Sequence, residues 1–323
     1  MQAIQVPRTG GADVLEVVEL PEPRPGDGEL LVELAAAGVN YIDTYHRSGL
    51  YPMPTPFVCG LEGAGRVIDT GAGVDGFAAG DRVAWKAAPG SYAQRVLVPA
   101  AEALAVPDSV SDEVAAAVPL QGLTAQYLVT STYPVQAGDT VLVHAAAGGV
   151  GLLLVQLAVA RGARVIGTVS TEEKERLARA AGAAEVIRYT EVDDLAAAVR
   201  DLTGGEGVAA AYDGVGASTF DASLASLRPR GMLVLFGASS GPVPAFEPQR
   251  LAAGGSLFLT RPILGHYTAT PDELAWRARE LFDAVVAGDL DVHIGGRYAL
   301  ADARAAHEDL QARKTTGKLL LLP

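Results

Sequence analysis

A glycine-rich turn that joins an apolar strand to an apolar helix limits the possible folds of this chain more than any other segment. Residues 140–145 predict the strand and residues 151–161 predict the helix, with Gly148, Gly149 and Gly151 at the junction. Glycine has no Cβ atom, so the backbone can turn tightly here and come close to a ligand. The N-terminus of the helix presents free N–H groups and the positive end of a dipole, which together favour an anion.

The spacing of the glycines leaves two interpretations of this turn open. Ala146 stands where the usual Gly-x-Gly-x-x-Gly pattern has its first glycine. The first interpretation is therefore a plain strand-to-helix connection that binds no ligand. The complete order of strand, turn, helix and strand favours the other, which is a dinucleotide site. The candidate phosphate-binding residues are Gly148, Gly149, Val150 and Gly151.

The middle of the chain continues this alternation of strands and helices. Strands are predicted at residues 140–145, 164–169, 185–189, 209–213 and 231–236, with helical segments between them. A βαβ series implies a parallel sheet that is covered by helices on both faces. The sequence therefore predicts an α/β domain with a doubly wound parallel sheet over residues 122–261.

The first part of the chain has a different pattern. Short apolar or alternating runs are separated by turns rich in glycine and proline, at residues 3–6, 15–20, 29–37, 64–70, 82–85 and 93–98. Such runs predict a barrel-type β domain, which residues 40–49 interrupt with one or two helical turns. The tail predicts two helices and a closing strand, and we expect it to return to the first domain. That domain would then consist of residues 1–121 and 262–323.

Composition excludes several classes of protein. The 323 residues include 38 acidic and 25 basic side chains, and the net charge of −13 disfavours binding to nucleic acid or to an anionic membrane. The single cysteine, Cys59, excludes an intramolecular disulfide framework. No apolar run reaches the roughly 20 residues of a transmembrane helix, and residues 1–7 lack the pattern of a signal peptide. We therefore expect a cytoplasmic protein.

The end of the next predicted strand indicates which dinucleotide would bind. An acidic residue about 20 positions after the glycine turn would hold a ribose hydroxyl and repel a 2′-phosphate, but residues 168–170 contain none. Ser170 and Glu173 match a capping box, so we expect Glu173 to cap its own helix. Lys174 follows one helical turn after Ser170, and Tyr189 ends the third strand. These residues favour NADPH over NADH; the alternative is that Lys174 is only a solvated helix lysine.

Three groups of residues together resemble a known family. They are Gly38-Val-Asn40-Tyr-Ile-Asp43 with Tyr45, Arg47, Gly49 and Tyr51; Gly60-x-Glu62-x-x-Gly65; and Ala145-Ala-Ala-Gly-Gly-Val-Gly151 with Ser170 and Lys174. In combination they resemble the zinc-independent, zeta-crystallin-like quinone oxidoreductases of the medium-chain dehydrogenase/reductase superfamily, over essentially the whole chain. The resemblance implies a GroES-like catalytic domain, a Rossmann domain that binds NADPH, and hydride transfer to a quinone.

The resemblance also implies roles for particular residues. Asn40, Tyr45 and Tyr51 are expected to line the substrate pocket, where an aromatic ring can stack on a planar quinone. The alternative is that the tyrosines only fill the domain surface, and Asp43 and Arg47 are spaced for a local ion pair. The implied cofactor residues outside the glycine turn are Asn40, Thr124, Ser170, Lys174, Tyr189, Phe236, Gly237, Ser239 and Lys318.

The residue types argue against the zinc sites of related enzymes. Zinc-dependent members of the superfamily have cysteine at the position of Asn40 and histidine at the position of Leu61. Catalytic zinc needs three ligands from cysteine, histidine and carboxylate side chains, and a solitary Cys59 cannot build a structural site. We expect Cys59 to be a small buried residue. Without a metal, the substrate should accept hydride unaided, as a quinone or an activated enone does.

Two further functions stay open at the level of the sequence. An enoyl-thioester or other enone reductase would use the same fold and cofactor. A non-catalytic nucleotide- or RNA-binding protein is the alternative of another class, although a net charge of −13 disfavours RNA.

The last strand of the second domain predicts how the protein assembles. Residues 256–259 are apolar, and the preceding residues 251–255 predict no helix that would cover them. An open edge that exposes Leu257, Phe258 and Leu259 would pair with its copy across a two-fold axis. We therefore expect a homodimer, with a monomer whose edge is blunted by a loop as the alternative.

Overall fold

The computed structural model describes all 323 residues, which separate into two compact units. One unit consists of Met1–Gln121 and Ala278–Pro323, and the other consists of Gly122–Arg277. None of the helices combines the length and the apolar character that crossing a bilayer requires.

The chain forms sixteen strands and ten α-helices. The strands are β1 (Gln2–Val6), β2 (Glu16–Glu19), β3 (Glu29–Val39), β4 (Phe57–Val58), β5 (Glu62–Thr70), β6 (Arg82–Trp85), β7 (Arg95–Pro99), β8 (Ala103–Ala105), β9 (Thr140–Val143), β10 (Arg164–Val169), β11 (Glu185–Arg188), β12 (Val208–Asp213), β13 (Leu227–Leu235), β14 (Phe258–Thr260), β15 (Ile294–Ala299) and β16 (Lys318–Leu322). The helices are α1 (Tyr41–Ser48), α2 (Asp112–Ala117), α3 (Pro119–Tyr127), α4 (Gly149–Ala160), α5 (Glu172–Ala180), α6 (Leu195–Leu202), α7 (Phe220–Ala225), α8 (Gln249–Ala253), α9 (Pro271–Ala287) and α10 (Ala303–Gln311).

The first unit contains a seven-stranded and a three-stranded sheet. The larger sheet has the order β15-β16-β3-β5-β6-β8, with β7 paired to β3, and the smaller has the order β2-β1-β4. β16 lies antiparallel to β3, where Leu319 pairs with Val39 and Leu321 pairs with Ala37. The tail therefore returns to the first unit, as expected, and Leu319 and Leu321 belong to its buried core.

A six-stranded parallel sheet forms the centre of the second unit, in the order β11-β10-β9-β12-β13-β14. The chain order reverses between β9 and β12, so the carboxyl ends of these strands flank a switch point of the kind at which α/β sheets bind ligands. Apolar side chains such as Leu142, Ile166 and Leu233 form the core on the sheet. The parallel sheet that the βαβ alternation predicts is confirmed.

Local caps set where the helices of the second unit begin. The Thr171 side chain accepts a hydrogen bond from the Lys174 N–H, and the Asp194 side chain accepts one from the Ala197 N–H. These bonds satisfy N–H groups that have no partner inside the helix. The expected cap on Ser170 is wrong by one residue, because Thr171 is the N-cap of α5.

The chain leaves the second unit later than the expected boundary after residue 261. The segment that follows β14 stays with this unit, because Tyr267 stacks on Tyr127 with ring centroids 4.4 Å apart. The buried Arg277 donates to the Gln126 Oε1 atom and to the Tyr267 carbonyl, both at 2.6 Å. These contacts place the boundary within α9, after Arg277.

The open edge of the parallel sheet differs from the expectation in two respects. The prediction that Leu257 and Leu259 are exposed is wrong, since Leu257 lies in the core and Leu259 is partly buried against it, whereas Phe258 is 55% exposed. Neighbouring side chains of an extended segment point to opposite sides, which accounts for this difference. The edge strand begins at Phe258, and the segment before it contains the helix α8, which the sequence does not predict.

Candidate functional site

The glycine-rich turn lies at the carboxyl end of β9, next to the switch point of the sheet. Gly148 is the N-cap of α4, and its N–H donates to the Ala145 carbonyl at 2.8 Å. Ala145 adopts a left-handed backbone with φ of 50°, which is uncommon for a residue with a side chain. The turn places the first N–H groups of α4 at this edge, where the helix dipole favours an anion.

Close packing explains why the turn ends in glycine. A Cβ atom on Gly151 would lie 2.2 Å from the Ala145 carbonyl oxygen and 2.9 Å from the backbone of Ala146. Backbone atoms cannot move aside as the end of a flexible side chain can, so position 151 requires glycine. Residues 148–150 remain partly exposed and can reach a ligand.

Ser170, Lys174 and Tyr189 lie at the carboxyl ends of two neighbouring strands. β10 and β11 pair in parallel, and the Tyr189 N–H donates to the Val169 carbonyl at 3.0 Å. Ser170 follows β10 directly, and Lys174 lies in the first turn of α5. All three are at least partly exposed. The structure therefore brings these residues to the same edge of the sheet as the glycine turn.

Phe236, Gly237 and Ser239 follow β13 at this edge. The Phe236 N–H donates to the Asp213 carbonyl at 2.9 Å, and the Ser239 N–H donates to the Gly214 carbonyl at 3.3 Å. These bonds hold the segment against the end of β12. The expected cofactor residues other than Asn40, Thr124 and Lys318 therefore lie at the ends of four parallel strands, and their contact with a cofactor stays a prediction.

A buried network lies beneath this edge, and no sequence pattern indicates it. Ser223 Oγ donates to Asp213 Oδ2 at 2.7 Å, and His144 lies 2.9 Å from both Ser223 Oγ and Thr168 Oγ1. Burial lowers the pKa of His144, which keeps the ring neutral. Because Ser223 gives its proton to Asp213, His144 Nε2–H donates to Ser223 and His144 Nδ1 accepts from Thr168. The network ties the ends of β9, β10 and β12 to α7.

In the first unit, Asn40 precedes α1 and uses every polar position of its amide. Its Nδ2 donates to Glu62 Oε2 at 2.7 Å and to the Gly38 carbonyl at 3.3 Å. Its Oδ1 accepts from Lys318 Nζ at 2.9 Å and from Gln121 Nε2 at 3.2 Å. Two donors and two lone pairs are thereby saturated, and Asn40 is only 3% exposed. This geometry gives Asn40 a positioning role, and its direct contact with substrate or cofactor stays a prediction.

Lys318 and Glu62 form an ion pair beside this amide, and both side chains are buried. Glu62 Oε1 also accepts from the Leu120 N–H at 2.6 Å. The resemblance implies that Lys318 contacts the cofactor, whereas in the structure its ammonium is directed to Glu62 and Asn40; cofactor contact stays a prediction. Glu62 and Lys318 are 256 positions apart in the chain, so no local pattern reveals the pair.

The two tyrosines expected in the substrate pocket contact each other. The rings of Tyr45 and Tyr51 have centroids 5.2 Å apart and planes at 67°, which is an edge-to-face contact. Tyr51 is exposed, and Tyr45 is partly buried on α1. Thr124, expected near the cofactor, is buried on α3.

The ion pair that the spacing of Asp43 and Arg47 suggests is not formed. Asp43 is fully buried and accepts from the Asn40 N–H and the Tyr92 O–H. Arg47 instead donates to the Gly10 carbonyl and turns toward α10. Asp43 therefore caps the start of α1 and contacts Tyr92, whereas Arg47 contacts residues outside the helix.

Two family models match the chain. The model described as an alcohol dehydrogenase GroES-like domain matches residues 26–108, and the model described as a zinc-binding dehydrogenase matches residues 149–279. The match to residues 26–108 lies in the first unit, and the match to residues 149–279 lies mainly in the second unit.

Similar proteins cover the whole chain. A mycobacterial protein whose structure was solved in complex with NADPH is 57% identical, with a TM-score of 0.98 and 100% of both chains covered. A quinone oxidoreductase from Pseudomonas aeruginosa is 47% identical over 99% of both chains. A 2-haloacrylate reductase from a Burkholderia species is 42% identical over 100% of this chain and 99% of the relative. These similarities, on the fold and the site described above, show that the chain belongs to the quinone oxidoreductase family.

Proposed function

We propose that this protein reduces quinones with NADPH, by hydride transfer and without a metal ion. The observation that carries the proposal is the turn between β9 and α4, where close packing at Gly151 leaves room only for glycine and a helix N-terminus lies at the switch point of the sheet. The NADPH complex of the mycobacterial relative and the name of the Pseudomonas relative support the same cofactor and substrate class.

The chain's own residues bind and orient the reactants in this proposal. NADPH, when bound, supplies the hydride. The backbone of residues 148–151 and the N-terminus of α4 would hold its pyrophosphate, and Ser170, Lys174 and Tyr189 would hold its 2′-phosphate. Tyr45 and Tyr51 would receive the planar quinone ring, whose oxygens accept hydrogen bonds from a phenol. Orientation and exclusion of water are then the contribution of the protein.

The residues around Asn40 do not fit a zinc ion. The polar groups there are an amide, a carboxylate and an ammonium group, and the neighbouring Leu61 offers no donor. The ammonium group of Lys318 already neutralises Glu62 and would repel a second cation. Zinc prefers cysteine, histidine and carboxylate ligands, and burial raises the pKa of the Cys59 thiol, which opposes the thiolate that a metal needs.

We therefore expect chelators to leave activity unchanged. Purified protein should contain no stoichiometric zinc by elemental analysis, and incubation with EDTA should not alter the rate of quinone-dependent NADPH oxidation. A zinc-dependent alcohol dehydrogenase treated in parallel is the positive control. Activity that disappears with EDTA and returns with added zinc would contradict the prediction.

Reduction of an activated carbon–carbon double bond is a second candidate function. The 42% identical 2-haloacrylate reductase favours it, because a haloacrylate carries such a bond. We would measure NADPH oxidation with quinones, 2-haloacrylates and enoyl thioesters at matched concentrations. We expect kcat/KM to be highest for a quinone. A higher kcat/KM for an enoyl thioester or a haloacrylate would show that the preferred substrates carry an activated carbon–carbon double bond. An RNA gel-shift assay tests the alternative that the protein is a non-catalytic RNA-binding protein, which the net charge of −13 disfavours.

A cytoplasmic location belongs to the same proposal. The only cysteine, Cys59, is a free buried thiol, as is usual for proteins of a reducing compartment. Cell fractionation followed by detection of the chain tests this location.

A homodimer through the open edge of the parallel sheet is also part of the proposal. β14 has β13 as its only strand neighbour, and its outward Phe258 is 55% exposed. Pairing β14 with its copy across a two-fold axis would satisfy the unpaired backbone groups and cover this ring.

Replacing Phe258 by aspartate should convert the dimer into monomers, because two buried carboxylates would face each other across the axis. Light scattering at micromolar concentration measures the mass. The control is Val17→Asp, which places the same charge on an equally exposed apolar position of β2, at 50% exposure, and should remain dimeric. A wild-type monomer, or a dimer that survives Phe258→Asp, would contradict this interface.

A further inference from the structure

Four charged side chains are buried together in the first unit. Asp43, Glu62, Arg47 and Lys318 are each at most 1% exposed. Glu62 and Lys318 form a direct ion pair, whereas Asp43 and Arg47 do not touch. The four formal charges sum to zero, which limits the cost of burying them. Asp43 and Arg47 must therefore be stabilised by contacts with other residues.

Two neutral residues connect Arg47 to Asp43. Arg47 Nη1 lies 3.0 Å from His307 Nδ1, His307 Nε2 lies 3.2 Å from Tyr92 Oη, and Tyr92 Oη lies 2.9 Å from Asp43 Oδ2. Arginine can only donate, so His307 accepts at Nδ1 and donates its Nε2–H to Tyr92. Burial lowers the pKa of His307 to about 3, which keeps the ring neutral. Tyr92 therefore donates its O–H to Asp43, and all bonds of the chain run toward this carboxylate.

The carboxylate holds the residue that precedes α1. Asp43 Oδ2 also accepts from the Asn40 N–H at 2.8 Å, and α1 carries Tyr45. The second oxygen, Asp43 Oδ1, is buried and has no hydrogen-bond partner. A buried carboxylate that is only half satisfied destabilises the folded state. The bond to the Asn40 N–H belongs to a capping box at the start of α1, which favours an acidic residue at this position. A helix cap by itself requires neither complete burial nor an unpaired oxygen, and function often retains such destabilising arrangements.

We propose that Asp43 is a positioning residue for quinone reduction, whose carboxylate holds the backbone of Asn40 and, through α1, the ring of Tyr45 in the arrangement that the substrate needs. The inference rests on the proposed function and deepens it, since it names a residue that sets the geometry of the substrate-binding side of the reaction.

Titration of Asp43 gives this role a measurable signature. Burial, the largest cause, raises the pKa of Asp43 from 3.8 to about 7. The titratable and charged groups that face it, directly or through the hydrogen-bond chain, are Glu62, Lys318, Tyr92, Cys59, His307 and Arg47. Burial raises the pKa values of Tyr92 and Cys59, so both stay protonated near neutral pH. Protonated Asp43 is a weaker acceptor and leaves the cluster with a net positive charge, so activity should fall as pH drops below about 7.

The same shift has the opposite effect on stability. In the unfolded chain Asp43 ionises near 3.8 and in the folded chain near 7, so its ionisation favours unfolding across this window. Stability is therefore lost as pH rises from 3.8 to about 7. The neutral amide of Asp43→Asn cannot ionise, so the variant should lack the part of the fall in melting temperature that wild type shows between about pH 5 and 8.5 for this reason.

The test measures kcat/KM for a quinone with saturating NADPH from about pH 5.5 to 9. Wild type should lose activity below an inflection near pH 7. Asp43→Asn should be about tenfold or more slower at alkaline pH, because a misplaced substrate-binding group lowers the rate, should lack the inflection, and should bind NADPH as wild type does. Tyr92→Phe removes a hydrogen bond that lowers the pKa of Asp43, so its inflection should move to higher pH.

Asp139→Asn is a matched control from the second unit. Like Asp43, Asp139 is buried and accepts from a tyrosine O–H, that of Tyr133, and from the backbone N–H three residues before it, that of Gln136, both at 3.0 Å. Unlike Asp43, it also pairs with an arginine, since Arg228 Nη2 lies 3.2 Å from its Oδ1 atom. This variant should lose stability and keep the inflection near pH 7.

Three outcomes would count against the inference. An unchanged rate and pH profile in Asp43→Asn would overturn it, and so would a lower rate matched by a lower melting temperature with the inflection retained. If Asp43→Asn fails to fold, an unshifted inflection in Tyr92→Phe would overturn it. Absence of quinone-dependent NADPH oxidation in wild type would instead overturn the proposed function, which distinguishes the two failures.

Discussion

Replacing Glu62 by glutamine should lower the free energy of unfolding by about 3 to 5 kcal/mol, because Lys318 would stay charged and buried without a counter-charge. Glu62 accepts from Lys318, from the Asn40 amide and from the Leu120 N–H. The NH₂ group of glutamine would face one of these three donors, so the amide cannot replace the carboxylate. Urea unfolding measures the loss, with the fluorescence of Trp85, which is buried in the same unit, as the signal.

Two controls separate this effect from a general cost of mutation. Glu308→Gln breaks the Arg304–Glu308 pair, whose atoms are 2.8 Å apart and whose side chains are 57% and 50% exposed, and should cost less than about 1 kcal/mol. The double variant Glu62→Leu with Lys318→Met should be more stable than Glu62→Leu alone, because it leaves no unpaired charge. A loss for Glu62→Gln no larger than that for Glu308→Gln would contradict the buried ion pair.

Replacing Lys174 by alanine should weaken the binding of NADPH by roughly ten- to a hundred-fold and leave NADH almost unchanged. A charge-assisted contact with a phosphate contributes about 1.5 to 3 kcal/mol, and only NADPH carries the 2′-phosphate. Lys174 lies in the first turn of α5, beside the carboxyl ends of β10 and β11. Fluorescence titration with each cofactor measures the two dissociation constants.

The matched control for this prediction is Arg176→Ala. Arg176 is a cation on the same helix, two positions further on and exposed, so its removal changes the net charge of α5 equally. It should reduce NADPH affinity much less than Lys174→Ala. Equal losses for NADPH and NADH in Lys174→Ala would show that Lys174 does not recognise the 2′-phosphate.

The second unit could be predicted from local sequence because each of its signals is local. Strand 164–169 is an apolar run that lies wholly inside a parallel sheet, so its length and composition define it, and the structure has β10 at these residues. The glycine turn could also be predicted from the sequence, because the contact that excludes a Cβ atom at Gly151 is with Ala145, only six positions away. The error at Ser170 is a displacement by one residue, because Thr171 takes the cap. The error at Leu257 has another cause, because alternate side chains of the edge segment face the core and the exposed side.

The polar centre of the first unit could not be predicted from the sequence. Glu62 meets Lys318, and Arg47 meets His307, through contacts that span 256 and 260 positions. Such contacts depend on the return of the tail to β3 and on the side of the sheet that each residue faces, and neither leaves a periodic pattern. One feature of the sequence does indicate such contacts, because a charged residue within a buried apolar strand usually has a partner.

NADPH-dependent quinone reduction can be tested directly by following the absorbance of NADPH in the presence of a quinone, with NADH as the parallel cofactor. We expect quinone-dependent oxidation of NADPH at a kcat/KM clearly above that for NADH, and no oxidation without a quinone. Lys174→Ala should reduce this preference for NADPH. Purified, folded protein that oxidises neither cofactor with any quinone, or that prefers NADH, would contradict the account.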